Sequence, residues 1–236
     1  MNNFIISLKD FFTFRFLAFS LFPLIISSII FISLLTLAFS YVGSLDFNEE
    51  AFNFFLGAMI LHAIQIFIMI ITISGGGFLA LYLSIFFALV ITSFLTPMIV
   101  REINLKHYNY NKLDEIGLIQ ITWLLFKIVL KFLFFLFFVL LFHIIPILNF
   151  IASFLMFCLM FYLFFNFLIY DVASCVLNKN DFLSFKPFKF KYIFCVFLFY
   201  LASNIPYVGF FLPVFFVIFL AHLLFQNELR LKQPLN

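Results

Sequence analysis

The sequence predicts an all-α, polytopic membrane protein with two long spanning helices and two helical hairpins, of which at least the second half-penetrates the bilayer. Three observations carry that prediction. Of 236 residues, 67% are hydrophobic and only 10% are charged, against roughly 25% charged in soluble domains. The apolar residues fall in long runs separated by short polar segments. Two of these runs are broken by the same small turn, Ile145-Pro146-Ile147-Leu148-Asn149-Phe150 and Ile205-Pro206-Tyr207-Val208-Gly209-Phe210. Proline lacks the backbone N–H, and Asn or Gly tolerates left-handed backbone, so Pro146 with Asn149, and Pro206 with Gly209, are expected to stop one helix and return the next. Lipid cannot satisfy a broken backbone, so such turns belong at an interface, inside protein or beside water.

A single membrane domain over residues 1–236 is expected, because nearly the whole chain is committed to lipid-compatible helices. Segment 1–15 mixes Phe4, Ile5, Leu8, Phe11 and Phe12 with Lys9, Asp10 and Arg15, the pattern of an interfacial helix. The apolar run that follows continues for a full bilayer width without a cleavage signature, and is read as a retained spanning helix over 16–42 with Pro23 in its first turns. Segment 78–100 is the second spanning helix, 120–170 the first hairpin and 192–227 the second. In the second hairpin, 192–204 rises only about 20 Å as a helix, too short for a hydrocarbon core of about 30 Å; for the first, spanning and half-penetrating arrangements both remain open.

Charge sets the topology. Lys9 and Arg15 precede the first span, while the loop after it carries Asp46, Glu49 and Glu50 with no Lys or Arg. By the positive-inside rule the N-terminus is cytoplasmic. Arg101, Lys106 and Lys112, then Lys179, Lys186, Lys189 and Lys191, then Arg230 and Lys232 place the later polar stretches and the C-terminus on the same side. Two full crossings between the acidic loop and Arg101 would break this assignment, so 53–73 is expected to be re-entrant or to lie along the outer face, bent at Gly75-Gly76-Gly77, with an extra span as the alternative.

The order of these features resembles the CysZ family of bacterial sulfate permeases, related to the eukaryotic etoposide-induced protein family. The resemblance rests on Phe22-Pro23-Leu24 early in the first span, Leu95-Thr96-Pro97 in the second, a basic segment, the two hairpins, Tyr170-Asp171, and Phe211-Leu212-Pro213 after the second turn. It implies a bacterial inner-membrane homo-oligomer that passes sulfate or a related oxyanion without an ATPase. The chain departs from the family in carrying one Arg, Arg15, where an Arg pair precedes the early proline. It also reads Pro97-Met98-Ile99-Val100-Arg101-Glu102 where the family has a Gly-Leu-x-x-Glu anion motif.

An oxyanion needs backbone N–H groups and Arg or Lys in a desolvated place. Arg15, Pro97, Arg101 and Glu102 are therefore the candidate substrate-binding residues, set against plain interfacial anchoring of the two arginines. Lys127 and Lys131, four apart on one helix face, either snorkel or line a pore. His62, Gln65, His143 and His222 in apolar runs read as hydrogen-bonded structure, and Asp171 as a structural cap or ion pair. The 45 Phe residues are distributed through every apolar run, as lipid-facing and packing residues are. Cys158, Cys175 and Cys195 lack the spacing of a disulfide framework or a zinc site, so no metal and no cofactor is expected. No convergent carboxylates, Ser/Lys pair or nucleotide loop supports an enzyme, and a net charge of +3 from short loops gives no support for nucleic acid. A membrane-shaping or assembly protein, or a membrane subunit of a larger complex, is the alternative to a permease.

Overall fold

A computed structural model describes residues 2–43, 66, 80, 83–144, 148–205 and 207–231. Among these residues every regular element is helical. The helices are α1 (Asn2–Phe11), α2 (Phe14–Gly43), α3 (Leu83–Tyr108), α4 (Leu118–Ile144), α5 (Asn149–Val176), α6 (Lys179–Ser184), α7 (Phe190–Ser203), α8 (Val208–Phe211) and α9 (Pro213–Asn227). Apart from Ile66, the 53–73 segment lies outside the described residues, as do Pro146 and Pro206.

Four helices are long and apolar enough to cross a membrane, with spans at Phe14–Leu37, Leu83–Tyr108, Ile119–Phe142 and Phe150–Val176. Both helices of the first hairpin thus reach crossing length. The second hairpin does not: α7 and α9 have 14 and 15 residues, about 21–23 Å at about 1.5 Å per residue.

The second span runs further than its apolar run suggests. Arg101, Glu102, Lys106 and His107 continue the helix to Tyr108, because three of them find partners on other elements: Glu102 pairs with Arg15, and Lys106 and His107 meet Asp10. The final turn, Asn104–Tyr108, widens to a π-helix. It closes on Asn109, left-handed at φ 48°, whose N–H donates to the Asn104 carbonyl at 2.8 Å. Asn104 then clamps the outgoing chain, its side-chain amide donating to the Tyr110 carbonyl at 2.7 Å and its Oδ1 accepting from the Tyr110 N–H at 2.8 Å.

The core is organised around α9. Every residue from Pro213 to Phe225 is buried, enclosed by α1, α2, α5 and α7. Phe199 of α7 stacks on Phe216 with centroids 4.4 Å apart, and Phe4 of α1 meets Phe215 edge-on at 5.8 Å. Offset and edge-on ring pairs of this kind add specific attraction to the packing. A second cluster joins Ile128, Phe132 and Val139 of α4 to Leu159 and Leu163 of α5.

The second turn uses its residues differently from expectation. Left-handed backbone falls on Tyr207, at φ 64°, and Gly209 sits inside α8 without a positive φ. Glycine is required there for space: a Cβ would lie 2.0 Å from the Ser203 carbonyl oxygen. In the first turn, Asn149 is the first residue of α5.

Candidate functional site

The last turns of α3, the loop that follows and the C-terminal end of α5 enclose a recess of about 730 Å3. Arg101, Asn104, Lys112 and Glu115 come from α3 and the loop, and Asp171 and Ser174 come from α5. Behind the α3 wall, Thr92 and Thr96 lie one helical turn apart and are buried. Thr92 Oγ1 donates to the Ala88 carbonyl at 2.8 Å, and Thr96 Oγ1 donates to Asp171 Oδ2 at 2.7 Å. Pro97 lines the same recess, and its ring removes the helical N–H that would bond the Ser93 carbonyl.

The loop is fixed rather than merely adjacent. Asn178, just past α5, donates to the Tyr110 hydroxyl at 2.5 Å and accepts from the Leu113 N–H at 3.1 Å. Lys112 Nζ donates to the Ser174 carbonyl at 2.8 Å. Burial pushes the Lys112 ammonium below the ordinary lysine pKa, with Cys175 and Glu115 acting in the opposite direction. One bond leaves two of its three protons for another acceptor. Among the described residues Arg101 has no ion-pair partner.

A second polar group lies where α1, α3 and α9 meet. Asp10 follows Ser7 by three residues and precedes Phe11, and all three are buried, so they share the inward face of α1. The Asp10 carboxylate receives Lys106 Nζ on Oδ1 at 2.5 Å. Its Oδ2 lies 2.8 Å from His107 Nε2 and 2.9 Å from His222 Nε2. The other nitrogen of His222, Nδ1, is 2.9 Å from the Tyr108 hydroxyl, to which Gln226 Nε2 donates at 3.3 Å. Burial alone would raise the Asp10 pKa. The hydrogen bonds from His222 and Lys106 and the charges of His107 and His222 outweigh it and hold the carboxyl at about 2.

The structure separates the residues that the sequence singled out. Pro97 and Arg101 come together at the recess. Arg15 and Glu102 pair with each other at a site where both are partly exposed, and neither lines the recess. Lys127 and Lys131 stand exposed on α4, with their ammonium groups 5.4 Å from the Trp123 ring and 5.5 Å from the Tyr162 ring. His222 is indeed hydrogen-bonded, as expected, and Asp171 is bonded to Thr96 rather than to a loop lysine. Sequence reasoning missed Lys112 as a recess residue and missed the convergence on Asp10, whose two imidazole partners lie 97 and 212 positions away. The available signal was the acidic residue on the apolar face of α1.

An all-helical chain with four apolar helices of crossing length is a polytopic membrane protein. The family model described as "Sulfate transporter CysZ/Etoposide-induced protein 2.4" matches residues 3–213, and the chain belongs to that family. Neither a curated protein nor a solved structure matches it.

Proposed function

We propose that this chain is a bacterial inner-membrane permease for sulfate or a related oxyanion, working without ATP hydrolysis and without enzymatic activity. The observation that carries this reading beyond family membership is the recess. It combines the guanidinium of Arg101, which has no ion-pair partner among the described residues, with the partly desolvated ammonium of Lys112. A doubly charged tetrahedral anion is held by charge-assisted N–H donors of this type. Asp171 and Glu115 share the recess and limit how tightly an anion is held, which suits passage rather than retention, because conduction requires release as well as entry. Arg101 and Pro97 carry the binding role expected of them. Arg15 and Glu102, being paired to each other, anchor α2 to α3, and Lys127 and Lys131 snorkel along α4.

The basic segments support a cytoplasmic position for both termini and the recess loop. The short α7–α9 hairpin enters and leaves from that side. The broad apolar face of α4, with Phe134, Phe137 and Leu140 exposed, contacts lipid or a second copy in a homo-oligomer.

The test is flux of labelled sulfate into liposomes containing purified, folded protein, with thiosulfate, phosphate and chloride as competitors. Sulfate uptake above empty liposomes is expected, falling at least about 10-fold in Arg101→Gln and in Lys112→Gln, the equivalent of losing one charge-assisted hydrogen bond. Folded protein that gives no flux for any anion overturns the permease reading. If such vesicles instead change shape, the membrane-shaping alternative replaces it.

A further inference from the structure

We propose that Asp10, His107 and His222 form a binding site for a divalent transition-metal ion of the zinc class, with Asp10 Oδ2, His107 Nε2 and His222 Nε2 as its three protein ligands. Those three atoms lie within 4.8 Å of one another. The donor set is one carboxylate and two imidazoles, which suits Zn2+ and its first-row neighbours and leaves a position for water. Hard oxygen-seeking cations such as Mg2+ and Ca2+ are poorly served by two imidazoles.

The spacing fits with little movement. Metal–ligand bonds of about 2.0–2.1 Å place neighbouring ligands about 3 Å apart in an octahedral site and about 3.4 Å apart in a tetrahedral one. The two imidazole nitrogens stand 2.8 and 2.9 Å from Asp10 Oδ2, close to the octahedral spacing and about 0.5–0.6 Å short of the tetrahedral one, and they lie within 4.8 Å of each other, so small ring shifts admit an ion.

The surroundings of His222 support the assignment independently. A metal on Nε2 requires the proton on Nδ1, which is 2.9 Å from the Tyr108 hydroxyl. That oxygen accepts from Nδ1–H with one lone pair and from Gln226 Nε2 with the other. A ligating imidazole held by a hydrogen bond at its second nitrogen has its tautomer and ring plane fixed in advance.

Depth and access also agree. The His222 and Asp10 side chains are 0% and 2% exposed, while His107 is 19% exposed and opens the site to one side. Lys106, on the other carboxylate oxygen, is 47% exposed. It is the cation that neutralises Asp10 when no metal is bound, and its long stem lets it leave for solvent when a dication arrives. The ion would tie the N-terminal helix, the end of the second span and the central helix into one unit.

The experiment uses the full chain in detergent, stripped with chelator and titrated with Zn2+ by calorimetry and with Co2+ by visible absorption. Binding of one ion per chain is expected, with a cobalt ligand-field band and no thiolate charge-transfer band, so that the cysteines are excluded as the source. His107→Gln, at the open edge of the site, should weaken binding at least about 100-fold, and Tyr108→Phe about 10-fold. Lys106→Gln should bind Zn2+ more tightly than the wild type, because a competing cation is gone. A purely hydrogen-bonded role for the cluster gives the opposite pattern: no saturable binding by folded wild-type protein, or a cobalt spectrum unchanged in His107→Gln. Either result overturns the proposal.

Discussion

Helices α4 and α9 read alike in sequence, both being runs of Phe, Leu, Ile and Val, yet they occupy opposite environments. All of α9 from Pro213 to Phe225 is buried in protein. Along α4, among the described residues, only Ile128, Phe132 and Val139 are buried, while Phe134, Phe135, Phe137 and Phe138 are exposed. In water such a difference would be written in the pattern of polar residues. In a bilayer it is not, because hydrocarbon and protein interior are equally apolar, and helices associate through packing and polar contacts rather than through hydrophobic exclusion. The difference between the two helices therefore lies in shape and in a few polar atoms. His222 projects from α9 to Asp10, whereas the polar ends of Lys127 and Lys131 project from α4 toward aromatic rings at its surface.

Substitutions measure that difference directly. The largest effect is expected for Phe216→Ala in α9, which removes the ring stacked on Phe199. The transfer component is small in lipid, so the cost is the cavity and lost packing, about 2–3 kcal/mol, read as a shift in unfolding free energy in mixed-micelle SDS titrations.

Gly209→Ala comes next. Its new methyl would meet the Ser203 carbonyl, and moving backbone to relieve the clash costs about 1–3 kcal/mol. A variant as stable as the parent would mean that the turn before α9 is not tightly held.

The smallest effect is expected for Phe134→Ala on the exposed face of α4, within about 0.5 kcal/mol of zero. If it destabilises as strongly as Phe216→Ala, that face is covered, and the same preparation should run as an oligomer in light scattering.

The recess and the Asp10 cluster show where sequence reading reached and where it stopped. Pro97 and Arg101 were legible because both sit at an abrupt change from apolar to polar sequence, and that boundary is where the chain meets α5. Lys112 was counted only as a topology charge, since nothing local indicates that Asn104 and Asn178 fold its loop back against Ser174. Gly209 was recognised as a turn residue, but for its conformational freedom. The structure uses its lack of a side chain, and left-handed backbone falls on Tyr207.

By itself the sequence determined the class: helical, membrane-embedded, with two helical hairpins and most of its basic residues gathered in the polar segments. Hydropathy, proline and charge are local properties, and lipid responds to them locally. Tertiary structure alone decided that α9 is the centre and α4 the periphery. It also decided that the second span runs on to Tyr108, and that Asp10, His107 and His222 share a few ångströms of space. Those outcomes depend on which helices touch, and contact between apolar helices is fixed by steric fit and a few hydrogen bonds that no linear pattern of apolar residues records.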